Sequence, residues 1–135
     1  VKIDHFAFEA SDLEASTRFY CESLGFCVQI SFIDENIHET LVVLELDGGK
    51  LELIQALDEH NQPKSFEPVT VRPHFCPHLA LETDDFEKSL AQIRKNGLKI
   101  VQGPLEIPGL AKWLYLADPD QNIIEVFQEF GELKP

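Results

Sequence analysis

The chain is short of positive charge. Eleven Lys and Arg stand against 24 Asp and Glu, a formal net charge of −13. Nucleic acid and anionic membrane surfaces both call for a basic face, so neither is an expected partner. Small anionic ligands are less firmly excluded, because a local cluster of Lys and Arg can override the global field. Long apolar runs are also missing. Stretches such as "LVVL" (41–44) are far too short to span a bilayer, and no signal-peptide pattern opens the sequence. Cysteine is scarce and odd in number: Cys21, Cys27 and Cys76 form no CxxC pattern. That points to reduced thiols and a cytoplasmic setting, not to a disulfide frame. What remains is enough to fold: 135 residues, 44% hydrophobic, with ten Phe, suit a single domain or two small modules sharing a core.

Compared with itself, the chain repeats. Shifted by 73 positions, "HFAFEASDLEAS" (5–16) lies over "HLALETDDFEKS" (78–89). His5/His78, Ala7/Ala80, Glu9/Glu82, Asp12/Asp85, Glu14/Glu87 and Ser16/Ser89 are identical, and Phe6/Leu79 and Phe8/Leu81 stay apolar. The same shift sets "DGGKLELIQ" (47–55) over "DQNIIEVFQ" (120–128). A duplicated module follows.

Each copy predicts a strand (2–9; 75–82) leading into a capped helix. Ser11 with Glu14, and Asp84 with Glu87, are the expected capping boxes. Leu13, Thr17, Tyr20 and Leu24, and Phe86, Leu90 and Ile93, supply the helix spacing, and Gly25 and Gly97 suit the helix ends. Three strands are expected after each helix, at 27–33, 38–46 and 50–57, and at 98–102, 112–117 and 122–128. The fold class is therefore α+β, two tandem βαβββ modules at 1–57 and 74–130. Residues 58–73, polar and with three prolines, form the expected linker of one 135-residue domain.

Strand alternation singles out four residues. His5 and His78 lie on the strand face away from the aromatic or apolar side, and "LEL" and "IEV" set Glu52 and Glu125 inside apolar strands. A lone strand His is more often structural, and a lone strand Glu more often solvated. A carboxylate repeated inside two apolar strands is different, because burying it unpaired costs several kcal/mol. Two imidazoles and two carboxylates, brought together by approximate twofold symmetry, suit a divalent first-row metal: Ni, Co, Zn, Mn or Fe.

The motifs "DHFAF", "FYCESLGF", "KLELIQ", "PHLALETDD" and "YLADPDQNIIEVFQ" resemble the vicinal oxygen chelate superfamily. That group includes glyoxalase I (lactoylglutathione lyase), methylmalonyl-CoA epimerase, extradiol dioxygenases and bleomycin-resistance proteins. The resemblance implies an open barrel-like cavity, a homodimer, and metal ligands at His5, Glu52, His78 and Glu125. It also implies a lyase or isomerase that abstracts a proton next to a carbonyl, the resulting enediolate being stabilised by the metal. By likeness to glyoxalase I, Glu125 is the expected base and Glu52 the more fixed ligand. The alternatives are an epimerase-like racemase, a metal-free antibiotic-binding protein and an Fe(II) dioxygenase.

Glutathione-dependent glyoxalases carry an Arg four residues after the first ligand His. Here that residue is Glu9, whose charge repels a glutathione carboxylate. Glu9, Cys76, Glu82, Phe127 and Lys112 complete the expected substrate pocket. Glu35 is a candidate second acid/base carboxylate of the epimerase type, weighed against a solvated turn. His38, His60 and His74 have no repeat partner and are expected at the surface. "GPLEIPGLAK" (103–112) is either a lip over the site or an ordinary hairpin.

Overall fold

A computed structural model describes residues 1–68, 70–72 and 75–131. The chain divides into two compact units, Val1–Pro68 and Val69–Pro135. The first runs β1 (Phe6–Glu9), α1 (Leu13–Arg18, continued by a π-helical turn Phe19–Ser23), β2 (Cys27–Asp34), β3 (Glu39–Leu46) and β4 (Gly49–Ala56). The second runs β5 (His78–Glu82), α2 (Phe86–Lys95), β6 (Ile100–Ile107), β7 (Ala111–Ala117) and β8 (Ile123–Glu129). Both are βαβββ. Each forms an open four-stranded mixed sheet, ordered β1-β4-β3-β2 and β5-β8-β7-β6, and neither sheet closes into a barrel.

Alternation decides which face each helix covers. In the first unit Phe8, Val42, Leu44, Leu51 and Leu53 share one face and are buried. Helix α1 packs over β3 and β4. Tyr20, fully buried, stacks on Phe8 with centroids 6.5 Å apart and meets Phe26 edge-on at 5.7 Å. In the second unit Leu114, Leu116, Ile124 and Val126 are buried on the corresponding face, and α2 contributes Phe86, Leu90 and Ile93. Each such side chain contributes roughly 1.5–3 kcal/mol by leaving water.

Several expectations need correction. The first strands are shorter than 2–9 and 75–82, because only the stretches lying beside β4 and β8 find ladder partners. The helix caps are Asp12 and Asp85, one residue beyond Ser11 and Asp84. Each is extended, and its carboxylate accepts the N–H of Ala15 or Lys88 at 3.0 Å. A charged cap also opposes the positive end of the helix dipole, which a Ser hydroxyl does not. Of the two alternatives for 103–112 the structure shows the ordinary hairpin: residues 103–107 belong to β6, and a turn at 108–110 joins it to β7. Gly103 has φ +101 and a Cβ there would sit 3.0 Å from Leu114, so only glycine fits this strand.

The two central hairpins differ. Asp47 and Gly48, both with positive φ, make a two-residue turn between β3 and β4. Residues 118–122 form a longer loop between β7 and β8. Glu52 lies opposite Val43, whereas Glu125 lies opposite Tyr115. The repeat offset is thus 73 for β4/β8 but 72 for β3/β7. The expected linker begins with structure of its own, since Asp58 accepts the N–H groups of His60 and Gln62 at 2.8 and 2.9 Å. No helix among the described residues is long and apolar enough to cross a membrane.

Candidate functional site

On the face of each sheet away from its helix, one His meets one Glu. Ala7 lies opposite Glu52 and Ala80 opposite Glu125, so the small side chain leaves room beside each carboxylate. His5, just ahead of β1, brings Nε2 to 3.4 Å from Glu52 Oε2. His78, the first residue of β5, brings Nε2 to 3.1 Å from Glu125 Oε2. Among the described residues no three His, Cys, Asp or Glu side chains gather into a metal set. The structure offers the four predicted ligands as two pairs.

The other ring nitrogens identify what each pair can bind. His78 Nδ1 lies 2.9 Å from the Cys76 carbonyl oxygen, which can only accept, so Nδ1 carries the proton. His5 Nδ1 lies 2.8 Å from Asp4 Oδ2. Hydrogen bonds from His5 and then Lys50 hold the Asp4 carboxyl below its usual range, so it too accepts. In a neutral ring this leaves Nε2 with a lone pair aimed at a carboxylate oxygen. Two lone pairs at such distances repel unless a cation, a proton or a metal, lies with them. A His whose far nitrogen is tied to a carboxylate or a carbonyl is also how metal-binding imidazoles are oriented. The donor set therefore fits a divalent ion.

The surroundings differ between the pairs. Tyr115, opposite Glu125, is buried and presents its ring edge-on to His78 at 5.5 Å. Burial, and then the Glu125 charge, push the Tyr115 phenol up, against a smaller opposing hydrogen bond from Trp113. Tyr115, Ala117 and Ile123 form a buried cluster, against which Cys76, Leu105 and Trp113 pack. Phe127, half-buried, lies opposite Trp113 on the same face. Val43 takes the place of Tyr115 in the first unit.

Of the remaining predicted pocket residues, Glu9 and Glu82 are exposed on the site face, opposite Ile54 and Phe127. Cys76 contributes its carbonyl to His78. Lys112 is not brought to this face. It lies opposite Gln128, on the helix side, with Nζ 2.9 Å from Glu87. Glu35 is exposed in a turn and His60 is exposed, whereas His38 is half-buried and bonded to Asn61 at 2.8 Å. His74 lies outside the described residues. Asp4 and Tyr115 were missed by sequence reasoning. Asp4 had a signal in directly preceding His5. Tyr115 had none under a gapless shift, which sets it over Val42 and not Val43.

A groove of about 640 Å³ in the first unit lies on the opposite side of the sheet from Glu52, between α1 and Val28, Ser31, Thr40 and Val42. It contains neither member of the His5–Glu52 pair.

A sequence profile described as the glyoxalase/bleomycin resistance protein/dioxygenase superfamily matches residues 2–126. The virulence protein STM3117 of Salmonella typhimurium is 31% identical over 134 residues, covering 94% of this chain and 83% of the relative. Among solved structures, the trypanothione-dependent glyoxalase I of Leishmania major superposes with a TM-score of 0.73 at 23% identity, covering 96% and 87% of the two chains. TnmS3, an antibiotic-binding protein from Streptomyces sp. CB03234, superposes with a TM-score of 0.70 at 24% identity, covering 96% of each. At these identities the two structures establish the shared fold alone.

Proposed function

Because this chain belongs to the glyoxalase/bleomycin resistance protein/dioxygenase superfamily, we propose that it is a metal-dependent lyase or isomerase of the glyoxalase I type. In this reading His5, Glu52, His78 and Glu125 together hold one divalent ion, within one chain or between two copies. Members of the superfamily typically bind such an ion. The observation that carries the reading is the paired geometry: each Nε2 faces a carboxylate while each Nδ1 is tied down behind it. The ion, when bound, supplies Lewis acidity toward neighbouring oxygens of the substrate.

The chain's own residues do the rest. Glu125 accepts the proton from the carbon next to the carbonyl and returns it to the neighbouring carbon. Cys76, through its carbonyl, fixes the His78 ring. Tyr115, kept protonated by its environment, excludes water beside Glu125. Trp113 and Phe127 offer apolar surface to the substrate. Glu9 and Glu82 set negative charge along the same face, which disfavours glutathione adducts. The reading includes a cytoplasmic setting and a homodimer.

A second reading, small-molecule binding without chemistry, is favoured by the aromatic wall of the second unit. One experiment separates the two. Metal content is measured by elemental analysis, and solvent-deuterium incorporation is followed across a panel of 2-oxoaldehyde thiol adducts and 2-hydroxy ketones. The enzyme reading expects bound metal and exchange that falls at least about 100-fold in Glu125→Gln. A ligand bound at full affinity by metal-free protein, with no exchange, overturns it.

A further inference from the structure

The four sheet edges differ in how they are protected. β1 and β5 are short, four and five residues. β6 carries two register irregularities between Ile100 and Leu105, and its Pro104 has no N–H to offer. β2 is eight residues long and has one irregularity, between Val28 and Ile30, before running regularly to Asp34. Among the described residues its outer side has no strand partner. Val28, Ile30, Phe32 and Ile33 are 52%, 50%, 44% and 59% exposed. No charged residue occurs between Glu22 and Asp34, in a chain of net charge −13. Edge strands are ordinarily blunted by charge, proline, bulges or shortness. Past its single bulge, β2 has none of these before Asp34.

We propose that β2 is the surface through which two copies of this chain associate. The strands pair antiparallel across a twofold axis and join two four-stranded sheets into one of eight. This rests on the homodimer part of the proposed function and adds the surface to it. A twofold axis normal to the sheet keeps each face on its own side. Passing through Ser31, it sets Ile30 of each copy beside Phe32 of the other, on the same face as Glu52. The contact is self-complementary, as an isologous interface must be. Charge also selects a second copy, because two strongly acidic chains approach best where neither carries charge. The ladder satisfies the outward backbone groups of β2, and the Ile–Phe pairs bury apolar surface that is now in water.

The test uses the whole chain. Light scattering and sedimentation give the dimer dissociation constant, and hydrogen exchange is followed at low and high protein concentration. The wild type is expected to dimerise, with β2 amides exchanging more slowly as concentration rises. Phe32→Glu should weaken the dimer by at least about 30-fold, as loss of a central apolar residue does. Ile107→Glu on β6, also 44% exposed, should leave it unchanged. If Phe32→Glu does not fold, the exchange of wild-type β2 still decides the matter. A dimer with concentration-independent β2 exchange overturns this surface and leaves the homodimer standing. A monomer at every concentration overturns both.

Discussion

The His5–Glu52 and His78–Glu125 pairs occupy the same places in their repeats, yet they are held by different means. His5 precedes its strand, its side chain is 40% exposed, and its Nδ1 is tied to Asp4, which Lys50 holds in turn at 3.2 Å. His78 lies within its strand, is 26% exposed, and is tied to a backbone carbonyl with Tyr115 against its ring. At the positions of Asp4 and Lys50 the second copy has Pro77 and Ile123. The first pair is therefore set by charges that substitution can remove. The second is set by backbone and packing. Duplication kept the His and the Glu and let their supports diverge.

The same contrast extends to the cores, and the largest expected effects test it there. Leu53 and Leu114 are both fully buried on the helix-covered faces. Replacing either with Ala should cost about 2–5 kcal/mol in urea unfolding. The groove beneath α1 gives the first unit room to relax, so Leu53→Ala belongs near the lower end and Leu114→Ala near the upper. The reverse order would show the first unit to be the more tightly packed.

Next in size is the support of His5. If the four ligands hold a divalent ion, Asp4→Ala frees the ring and should lower metal affinity about 10–100-fold, read by calorimetry. Asp4→Asn keeps an acceptor oxygen and should lose less. Cys76→Ser, whose carbonyl is unchanged, should bind metal as the wild type does. Equal losses from Asp4→Ala and Cys76→Ser would erase the distinction between the pairs.

Much of this was legible because the repeat supplies its own alignment. "HFAFE" over "HLALE" and "LEL" over "IEV" marked His5, Glu52, His78 and Glu125 as one expected set of four, and the structure brings His5 within 3.4 Å of Glu52 and His78 within 3.1 Å of Glu125. Alternation also separated the buried face of Leu51 and Leu53 from the face of Glu52. What was not legible depends on pairing and local angles. Lys112, expected in the pocket, lies on the other face, because alternation from Tyr115, opposite Glu125, turns it away. Tyr115 was hidden by the extra residue in the 118–122 loop, which a gapless shift cannot see. The caps moved one residue because the extended geometry of Asp12 and Asp85 depends on where β1 and β5 release the chain.

Those caps give the next comparison. Asp12→Ala and Asp85→Ala should each cost about 0.5–2 kcal/mol. α1 has six residues before its π-helical turn and α2 has ten, so the shorter helix has fewer internal hydrogen bonds to keep it formed without a cap. Helical far-UV signal should fall more in Asp12→Ala. An equal loss would show that Tyr20 packing, and not the cap, holds α1.

The smallest effect concerns two turns built on one device. Asp118 accepts the N–H groups of Asp120 and Asn122 at 2.8 and 2.9 Å, as Asp58 does those of His60 and Gln62. Asp118 is buried, whereas the Asp58 turn is open to water. The Gln62 and His60 N–H groups hold the Asp58 carboxyl below the ordinary value of 3.8. A depressed carboxylate stabilises the folded turn above its unfolded pKa, and that contribution disappears as pH falls through the lowered value. The His60 and Gln62 amide resonances should therefore titrate together below pH 3.8. In Asp58→Asn this titration should vanish while the unfolding midpoint at neutral pH barely moves. Asp118→Asn, which places an amide NH₂ among buried donors, should lower that midpoint visibly. If Asp58→Asn unfolded the chain as readily as Asp118→Asn, the open turn would be as integral to its unit as the buried one.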